Sequence, residues 1–303
     1  MSPATARSRE SLLGLGAPPS AQLLHIRDLV YRVAGIFQPD SKLGLLESRC
    51  RKRMQMLGVA TLQDYYRRLT VKPTLQAELV ALLNEITVGE TFFFRNQPQL
   101  DALRNIVVPR IVQARAKMSP RHLRIWSAGC STGEEPYTLC MMLLEELSGP
   151  LKGWTFEILA TDLNELSVAH AEQGLYSDYS TRTLPEHFRQ KYFIACGENL
   201  QINAELKNYV KFSRLNFLDD PGMAAINDLD VIFCCNVLIY FHGAAKSRVI
   251  EHFYDNLLPH GYLFLGHSES LYGVNEDFRL VHLPSATAYV QSEKRQLATP
   301  VRA

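Results

Sequence analysis

The feature that most constrains this chain is a glycine-bearing loop between a predicted strand and a predicted helix. Residues 123–128 form an apolar run that predicts a strand, and an apolar helix is predicted over residues 138–147. The loop between them carries Gly129 and Gly133. A glycine loop at such a junction lets the backbone approach a ligand at the helix N-terminus, as in nucleotide sites of α/β folds. The sequence therefore predicts a ligand site at this end of the strand.

The charges beside the loop indicate what kind of ligand the site takes. The loop matches neither GxGxxG nor GxxxxGK, and Glu134 and Glu135 stand at the start of the helix. A diphosphate is disfavoured, because it needs open backbone donors and a positive potential. An ammonium or sulfonium group fits better, since carboxylates attract it and Gly129 permits close backbone approach. The alternative is that both acids only favour the positive end of the helix.

The chain beyond this loop alternates short apolar runs with helical segments, which is typical of a parallel sheet covered by helices. Further strands are predicted at residues 155–161, 230–235 and 262–266. Between the first two of these, residues 176–212 contain short strand-like runs and a tight turn at Gly197. They predict a small antiparallel insertion in an α/β domain.

The first part of the chain has a different pattern and predicts a separate all-helical domain. Apolar residues such as Leu43, Leu46 and Cys50 recur at three- and four-residue intervals. Gly58 interrupts the pattern, which indicates several short helices. A chain of 303 residues has room for two domains.

Polar residues at strand ends are the next candidates for ligand contact. Asp162 follows the second predicted strand, where an acid commonly grips a ribose diol. The alternative is that Asp162 caps the following helix. Asn216 and Asn236 also follow strand candidates, and the alternative for each is a turn residue.

Several function classes are excluded by composition and missing motifs. The chain has 32 Lys and Arg against 31 Asp and Glu, so no overall positive field attracts nucleic acid. No apolar run approaches the roughly 18 residues of a membrane span, so we expect a cytoplasmic protein without membrane insertion. The six cysteines and nine histidines show no metal-ligand spacing, which predicts reduced thiols and no metal site. No GxSxG surrounds Ser268, which excludes a hydrolase elbow.

Three motifs, in this order and spacing, resemble those of the CheR-type chemoreceptor glutamate O-methyltransferases, which use S-adenosylmethionine (SAM). They are Thr91-Phe-Phe-Phe-Arg95, Ser127-Ala-Gly-Cys-Ser-Thr-Gly-Glu-Glu-Pro-Tyr137, and Asn236-Val-Leu-Ile-Tyr-Phe241 with Gly266-His-Ser-Glu269 after it. The resemblance implies a Rossmann-like SAM-dependent methyltransferase domain of the α/β class with a small antiparallel β insertion, preceded by the all-helical N-terminal domain. The expected division is a mobile tail (1–20), the helical domain (21–88), a linker and first cofactor-contacting segment (89–120), the methyltransferase domain (121–291, with the insertion at 176–212) and a second mobile tail (292–303).

The resemblance also implies a set of site residues. Contacts to SAM and to its product S-adenosylhomocysteine (SAH) are expected from Gly89, Thr91, Arg95, Gly129, Glu135, Asp162, Asn216, Phe217, Cys235 and Asn236. Arg95 and Tyr240 are expected nearest the transferred methyl group, as the catalytic pair. Two positions depart from the family pattern, because relatives usually carry Asn at Gly89 and Arg at Cys235. These departures leave a rival hypothesis open, which is a catalytically weak SAM-binding signalling or docking module.

Partner contacts are the last expectation. Arg49, Lys52 and Arg53 lie at helical spacing away from the apolar stripe, and the resemblance implies that such a basic face meets the acidic methylation helices of chemoreceptors. The alternative is a solvated surface.

The turn at Gly197 is shorter than the loop of relatives that bind a receptor's C-terminal pentapeptide, so we expect no such tether. Asn236 lacks the following prolines of the (D/N)PPY signature of DNA methyltransferases, and no nucleic-acid partner is expected.

Overall fold

The structure is a computed structural model that describes residues 19–71 and 75–292, without the side chains of residues 75 and 76. The two predicted tails lie outside the described residues, apart from Pro19, Ser20 and Ser292. The chain divides into two compact units. The first consists of the described parts of Met1–Arg32 and Gln38–Leu82, and the second of Val33–Phe37 and the described part of Leu83–Ala303.

The first unit is built from helices, as predicted. These are α1 (Ala21–Ala34), α2 (Leu43–Leu57), α3 (Leu62–Thr70) and α4 (Leu75–Ile86), with α1 and α4 continuing into the second unit. Helix α2 buries Leu43, Leu46 and Cys50, the apolar stripe of the sequence pattern. It ends at Gly58, whose φ of +66° suits a residue without a Cβ. The side chain of Thr61 caps α3 by accepting a hydrogen bond from the backbone of the first turn.

Arg53 does not lie on an exposed basic face, which corrects the prediction made for it. Its guanidinium pairs with both carboxylate oxygens of Glu78, at 3.0 and 2.8 Å, and the two side chains are only 14% and 7% exposed. The Tyr65 hydroxyl donates to the same carboxylate at 2.8 Å. Helical spacing places Arg53 beside Arg49 and Lys52, but it does not reveal a buried acid on another helix.

The second unit is an α/β domain around a seven-stranded sheet. Its helices are α5 (Gln97–Ala102), α6 (Val108–Ala114), α7 (Glu134–Glu146), α8 (Glu165–Gln173), α9 (Asp178–Thr181), α10 (Glu186–Tyr192), α11 (Asp220–Ala224) and α12 (Gly243–Asn256). Its strands are β1 (His122–Ala128), β2 (Thr155–Asp162), β3 (Leu175–Tyr176), β4 (Phe193–Cys196), β5 (Asn199–Ile202), β6 (Val210–Arg214), β7 (Leu229–Cys234), β8 (Leu257–Leu265), β9 (Phe278–His282) and β10 (Thr287–Gln291). The sheet order is β6-β2-β1-β7-β8-β10-β9.

The direction of the strands fixes where a ligand binds. Strands β6, β2, β1, β7 and β8 pair in parallel, and β10 pairs antiparallel with both β8 and β9. The four predicted strands of the sheet are therefore present, and the Rossmann-like fold class is confirmed. Because parallel strands end at one edge, the segments after β1, β2, β6 and β7 meet there.

The insertion is smaller than the sequence pattern predicted. Its antiparallel sheet contains only β3, β5 and β4, with α9 and α10 between β3 and β4. The run at Val210 belongs instead to β6, which pairs in parallel with β2 at the edge of the main sheet. Val210 and Phe212 alternate with polar residues in the same way in either sheet, so local periodicity cannot decide which strand they join.

The buried ion pair of the first unit gives a stability prediction. We expect Arg53→Ala to lower the free energy of unfolding by about 3 kcal/mol, because the buried carboxylate of Glu78 loses its cation. On the same helix, Arg51 pairs with Glu47 at 2.5 Å but is 65% exposed, and Arg51→Ala should cost less than about 0.5 kcal/mol. Urea unfolding followed by circular dichroism measures both variants. Equal losses would show that the Arg53 pair is not buried as described.

Candidate functional site

A cavity of about 260 Å³ lies in the second unit, and it brings together all eleven residues that sequence reasoning assigned to the cofactor and to catalysis. They are Gly89, Thr91, Arg95, Gly129, Glu135, Asp162, Asn216, Phe217, Cys235, Asn236 and Tyr240. The cavity lies at the edge where the parallel strands end, between the loop after β1 and the loop after β7. Positions far apart in sequence therefore meet because of strand direction.

The glycine loop after β1 forms one wall through a close backbone approach. Gly129 has a φ of +86°, and a Cβ there would lie 2.4 Å from a methyl carbon of Val237. The backbone N–H groups of Gly129 and Cys130 donate to the carbonyl oxygen of Thr161, at 2.8 and 2.9 Å. A side chain at position 129 would be strained at this φ and would collide with the loop after β7, so only glycine fits.

Only one of the two acids at the start of α7 faces the cavity. Glu134 is 1% exposed and accepts a hydrogen bond from Thr132 at 2.7 Å, so it does not line the cavity. Glu135 does line it, and its carboxylate accepts a 2.7 Å hydrogen bond from Ser127. Burial raises the pKa of Glu135 to about 7, although the Ser127 hydrogen bond and the charge of Arg95 lower it in part. The prediction that both acids face the ligand is thus corrected for Glu134.

Asp162 joins the loops after β1 and β2. One carboxylate oxygen accepts from the backbone N–H of Ser131 at 2.8 Å, and the other accepts from that of Asn164 at 2.8 Å. The cap of α8 is Asn164, whose side chain accepts from two backbone N–H groups, so the alternative that Asp162 is the cap is wrong. Burial raises the pKa of Asp162 above its ordinary value.

Asn216 and Phe217 shape the cavity mainly through contacts within the protein. Asn216 donates from its side-chain amide to the carbonyl of Val33 at 2.6 Å and accepts from the backbone of Leu218 at 3.1 Å. The bond from Leu218 is that of a turn residue, whereas the bond to Val33 is long-range, and Asn216 also lines the cavity. The buried ring of Phe217 meets Trp126 edge-on, with ring centroids 5.7 Å apart.

Arg95 and Tyr240 both line the cavity, although they lie far apart in the sequence. Arg95 donates from Nη1 to the carbonyl of Glu90 at 2.8 Å, and its guanidinium lies over the Phe92 ring, 5.6 Å from the centroid. Burial raises the pKa of the Tyr240 hydroxyl, so it stays protonated at neutral pH. Arg95 thus supplies the cavity with a fixed cation, and Tyr240 supplies it with a neutral donor.

The two positions that depart from the family pattern have local partners here. The carbonyl of Gly89 accepts from the Ser131 hydroxyl at 2.9 Å, and a Cβ on Gly89 would lie 2.7 Å from that oxygen. The thiol of Cys235 lies 3.4 Å from the side-chain oxygen of Gln99. Sequence reasoning missed both Ser131 and Gln99, since each pairs with a residue distant in the chain.

The charges of the cavity match a ligand with a cationic group. Among the described residues that line it, Glu90, Glu135 and Asp162 are acidic and Arg95 is the basic residue. SAM carries a sulfonium and an ammonium group, one carboxylate and a ribose diol, so the acids and the arginine fit its groups. A Rossmann-like sheet with this cavity after its first two strands is typical of SAM-dependent methyltransferases, which is the class of this chain.

Comparison with known proteins defines the family within that class. Residues 89–287 match the family model described as CheR methyltransferase, SAM binding domain, and residues 21–87 match CheR methyltransferase, all-alpha domain. The chain therefore belongs to the CheR methyltransferase family, which confirms the resemblance and the cofactor.

Several relatives are similar in sequence to this chain over most of their length. The chain is 34% identical over 270 residues to chemotaxis protein methyltransferase 2 of Vibrio cholerae, covering 88% of this chain and 92% of that protein. It is 32% identical over 253 residues to the chemotaxis protein methyltransferase of Borreliella burgdorferi, covering 83% and 89%. It is also 32% identical over 270 residues to Cher2 of Pseudomonas putida, covering 87% and 95%.

The raised pKa of Glu135 predicts a pH dependence of SAM binding. The carboxylate is protonated as the pH falls through about 7, and the cationic groups of SAM favour its ionised form. We therefore expect SAM affinity to fall below that pH, by at most about tenfold per pH unit for one linked proton. Calorimetry between weakly acidic and neutral pH measures the slope, and Glu135→Gln should flatten it. An unchanged slope in Glu135→Gln would assign the proton to another group.

Proposed function

We propose that this protein transfers the methyl group of SAM to glutamate side-chain carboxylates of chemoreceptors, in the cytoplasm, giving methyl esters for sensory adaptation. The observation that carries the proposal is that Arg95 and Tyr240 line the same cavity as the cofactor residues. The names of the relatives support it, since they are chemotaxis protein methyltransferases. Each helix among the described residues is too short or too polar to span a membrane.

Methyl transfer to a carboxylate does not require the protein to remove a proton. Glutamate has a reference pKa of about 4.3 and is ionised at neutral pH, so its attack needs no general base. When bound, SAM supplies a methyl group activated by its attachment to a sulfonium. The protein must then align the carboxylate with the methyl–sulfur bond and remove water from it.

Arg95 is suited to orienting a carboxylate. Its hydrogen bond to the Glu90 carbonyl and its contact with the Phe92 ring fix the plane of the guanidinium. A planar fork held in this way binds a carboxylate with defined geometry, whether the carboxylate belongs to the substrate or to the amino-acid end of SAM.

Tyr240 is suited to holding the nucleophile without neutralising it. Its hydroxyl remains protonated at neutral pH because burial raises its pKa. A neutral donor positions an attacking carboxylate oxygen while leaving its negative charge in place, whereas proton transfer would remove that charge.

Receptor docking is proposed for Arg49 and Lys52 of α2. Arg53 is withdrawn from the predicted set, because Glu78 occupies its guanidinium. The hairpin of the insertion supports the expectation that there is no pentapeptide tether, since Cys196 pairs with Asn199 and only two residues form the turn.

The rival hypothesis is a catalytically weak module that binds SAM and docks on a signalling complex. It rests on Gly89 and Cys235, but both have partners within the site. The relatives, which are named as methyltransferases, do not favour it.

Methyl transfer to a receptor fragment tests the proposed reaction. With methyl-labelled SAM, we expect the label on the fragment to be released as methanol by mild alkali, because a methyl ester is labile to base. A fragment with its candidate glutamates changed to alanine is the control and should stay unlabelled. Label that resists alkali, or no label at all, would contradict the proposed ester.

The role of Tyr240 is tested by removing one hydroxyl. We expect Tyr240→Phe to slow single-turnover transfer by roughly tenfold, or about 1.4 kcal/mol of transition-state stabilisation. SAH affinity and melting temperature should hardly change, since the ring is kept. Tyr289→Phe, which removes a phenol hydroxyl outside the cavity, is the matched control. Transfer at the parental rate by Tyr240→Phe would exclude the hydroxyl from the mechanism.

A further inference from the structure

Glu269 is half-buried and does not line the cavity, but it anchors the loop after β7. It lies in the turn after β8, and its carboxylate accepts three backbone hydrogen bonds. Oε2 accepts from Asn236 at 2.8 Å and from Gly266 at 2.6 Å, and Oε1 accepts from Ile239 at 3.1 Å. Two of the three donors lie in the loop between β7 and α12, which also carries Tyr240.

The loop needs such an anchor because its backbone takes an uncommon path. Asn236 has a φ of +61°, in the left-handed region that non-glycine residues seldom adopt. Gly266 leaves the room, since a Cβ there would lie 2.7 Å from the Asn236 nitrogen and 2.7 Å from Oε2 of Glu269. The carboxylate therefore reaches the loop through a gap that only glycine provides.

The same loop connects both walls of the cavity. Val237 packs against Gly129 of the glycine loop, so the position of the loop after β7 also sets the width of the cavity there. Glu269 holds this segment at Asn236 and at Ile239, the residue immediately before Tyr240. A shift of this segment would displace both Asn236 and Tyr240.

We propose that Glu269 is a positioning residue for methyl transfer. Its carboxylate holds the Asn236–Tyr240 segment in the conformation that places Tyr240 in the cavity, without touching the reacting atoms itself. The inference rests on the proposed function only through the role of Tyr240. The hydrogen bonds that carry it are independent of which substrate is methylated.

An isosteric variant separates this role from packing. Glu269→Gln keeps the shape of the side chain but offers one acceptor oxygen in place of two. In either orientation of the amide, its NH2 group faces at least one backbone N–H donor. Glu276→Gln is the matched control, because Glu276 is exposed in the same connection between β8 and β9.

Amide hydrogen exchange is the readout that needs no substrate. In Glu269→Gln we expect the amide of Asn236 or that of Ile239, whichever faces the NH2 group, to exchange roughly tenfold faster or more, because it loses its acceptor. The amides of β7 should be unchanged, which also shows that the variant is folded. Unchanged exchange at both loop amides would overturn the inference.

Kinetics then show whether the anchor matters for transfer. At saturating SAM and receptor fragment, single-turnover transfer by Glu269→Gln should fall by about tenfold or more, with KM for the fragment within about twofold of the parent. Glu276→Gln should match the parent in both measurements. Faster loop exchange with parental transfer would overturn the positioning role. If the parent itself methylates no fragment, the proposed function fails, while the exchange measurement still decides whether Glu269 holds the loop.

If Glu269→Gln does not fold, Glu269→Asp replaces it. The aspartate keeps the charge but is too short to reach both Asn236 and Ile239, so faster exchange is expected at one of these amides at least. Protection of both amides in Glu269→Asp would contradict the inference.

Discussion

The close contact between the loops that follow β1 and β2 is the interaction on which the site depends. The two strands pair in parallel with Ala128 opposite Thr161, so their loops leave the sheet at the same level. The Thr161 carbonyl and the Asp162 carboxylate then accept hydrogen bonds from the glycine loop. This arrangement fixes Asp162 at the cavity and directs α7 so that Glu135 enters it.

The same arrangement buries two carboxylates, so they are poorly solvated. Burial raises the pKa values of Glu135 and Asp162, which means that their charged forms are less stable there than in water. A ligand with cationic groups relieves this cost, whereas an anionic ligand would increase it. Arg95 offsets the acids only in part, so the electrostatics of the cavity favour a ligand such as SAM. Binding sites commonly keep such locally unfavourable features for function.

Local sequence patterns predicted the helical unit and the main strands, because periodicity is set locally, and the family resemblance supplied most of the residues that line the cavity. These patterns gave a wrong or incomplete prediction where a contact with a residue distant in the chain determines the structure. Val210 joins β2 across the sheet, Arg53 pairs with an acid 25 positions away, and Glu269 holds the backbone of a different loop. Glu134 and Glu135 are adjacent and chemically equal, yet the helix turns only one of them toward the cavity.

The central claim is that one cavity, held together by Asp162, binds the cofactor from which the methyl group is transferred. Calorimetric titration of SAH into the parent, Asp162→Asn and Asp162→Ala tests it most directly. A loss of about tenfold or more in affinity is expected for Asp162→Ala, since the proposed ribose contact and the hydrogen bond from Ser131 are both removed. A smaller loss is expected for Asp162→Asn, which keeps one acceptor oxygen. Parental affinity in Asp162→Ala would contradict the claim.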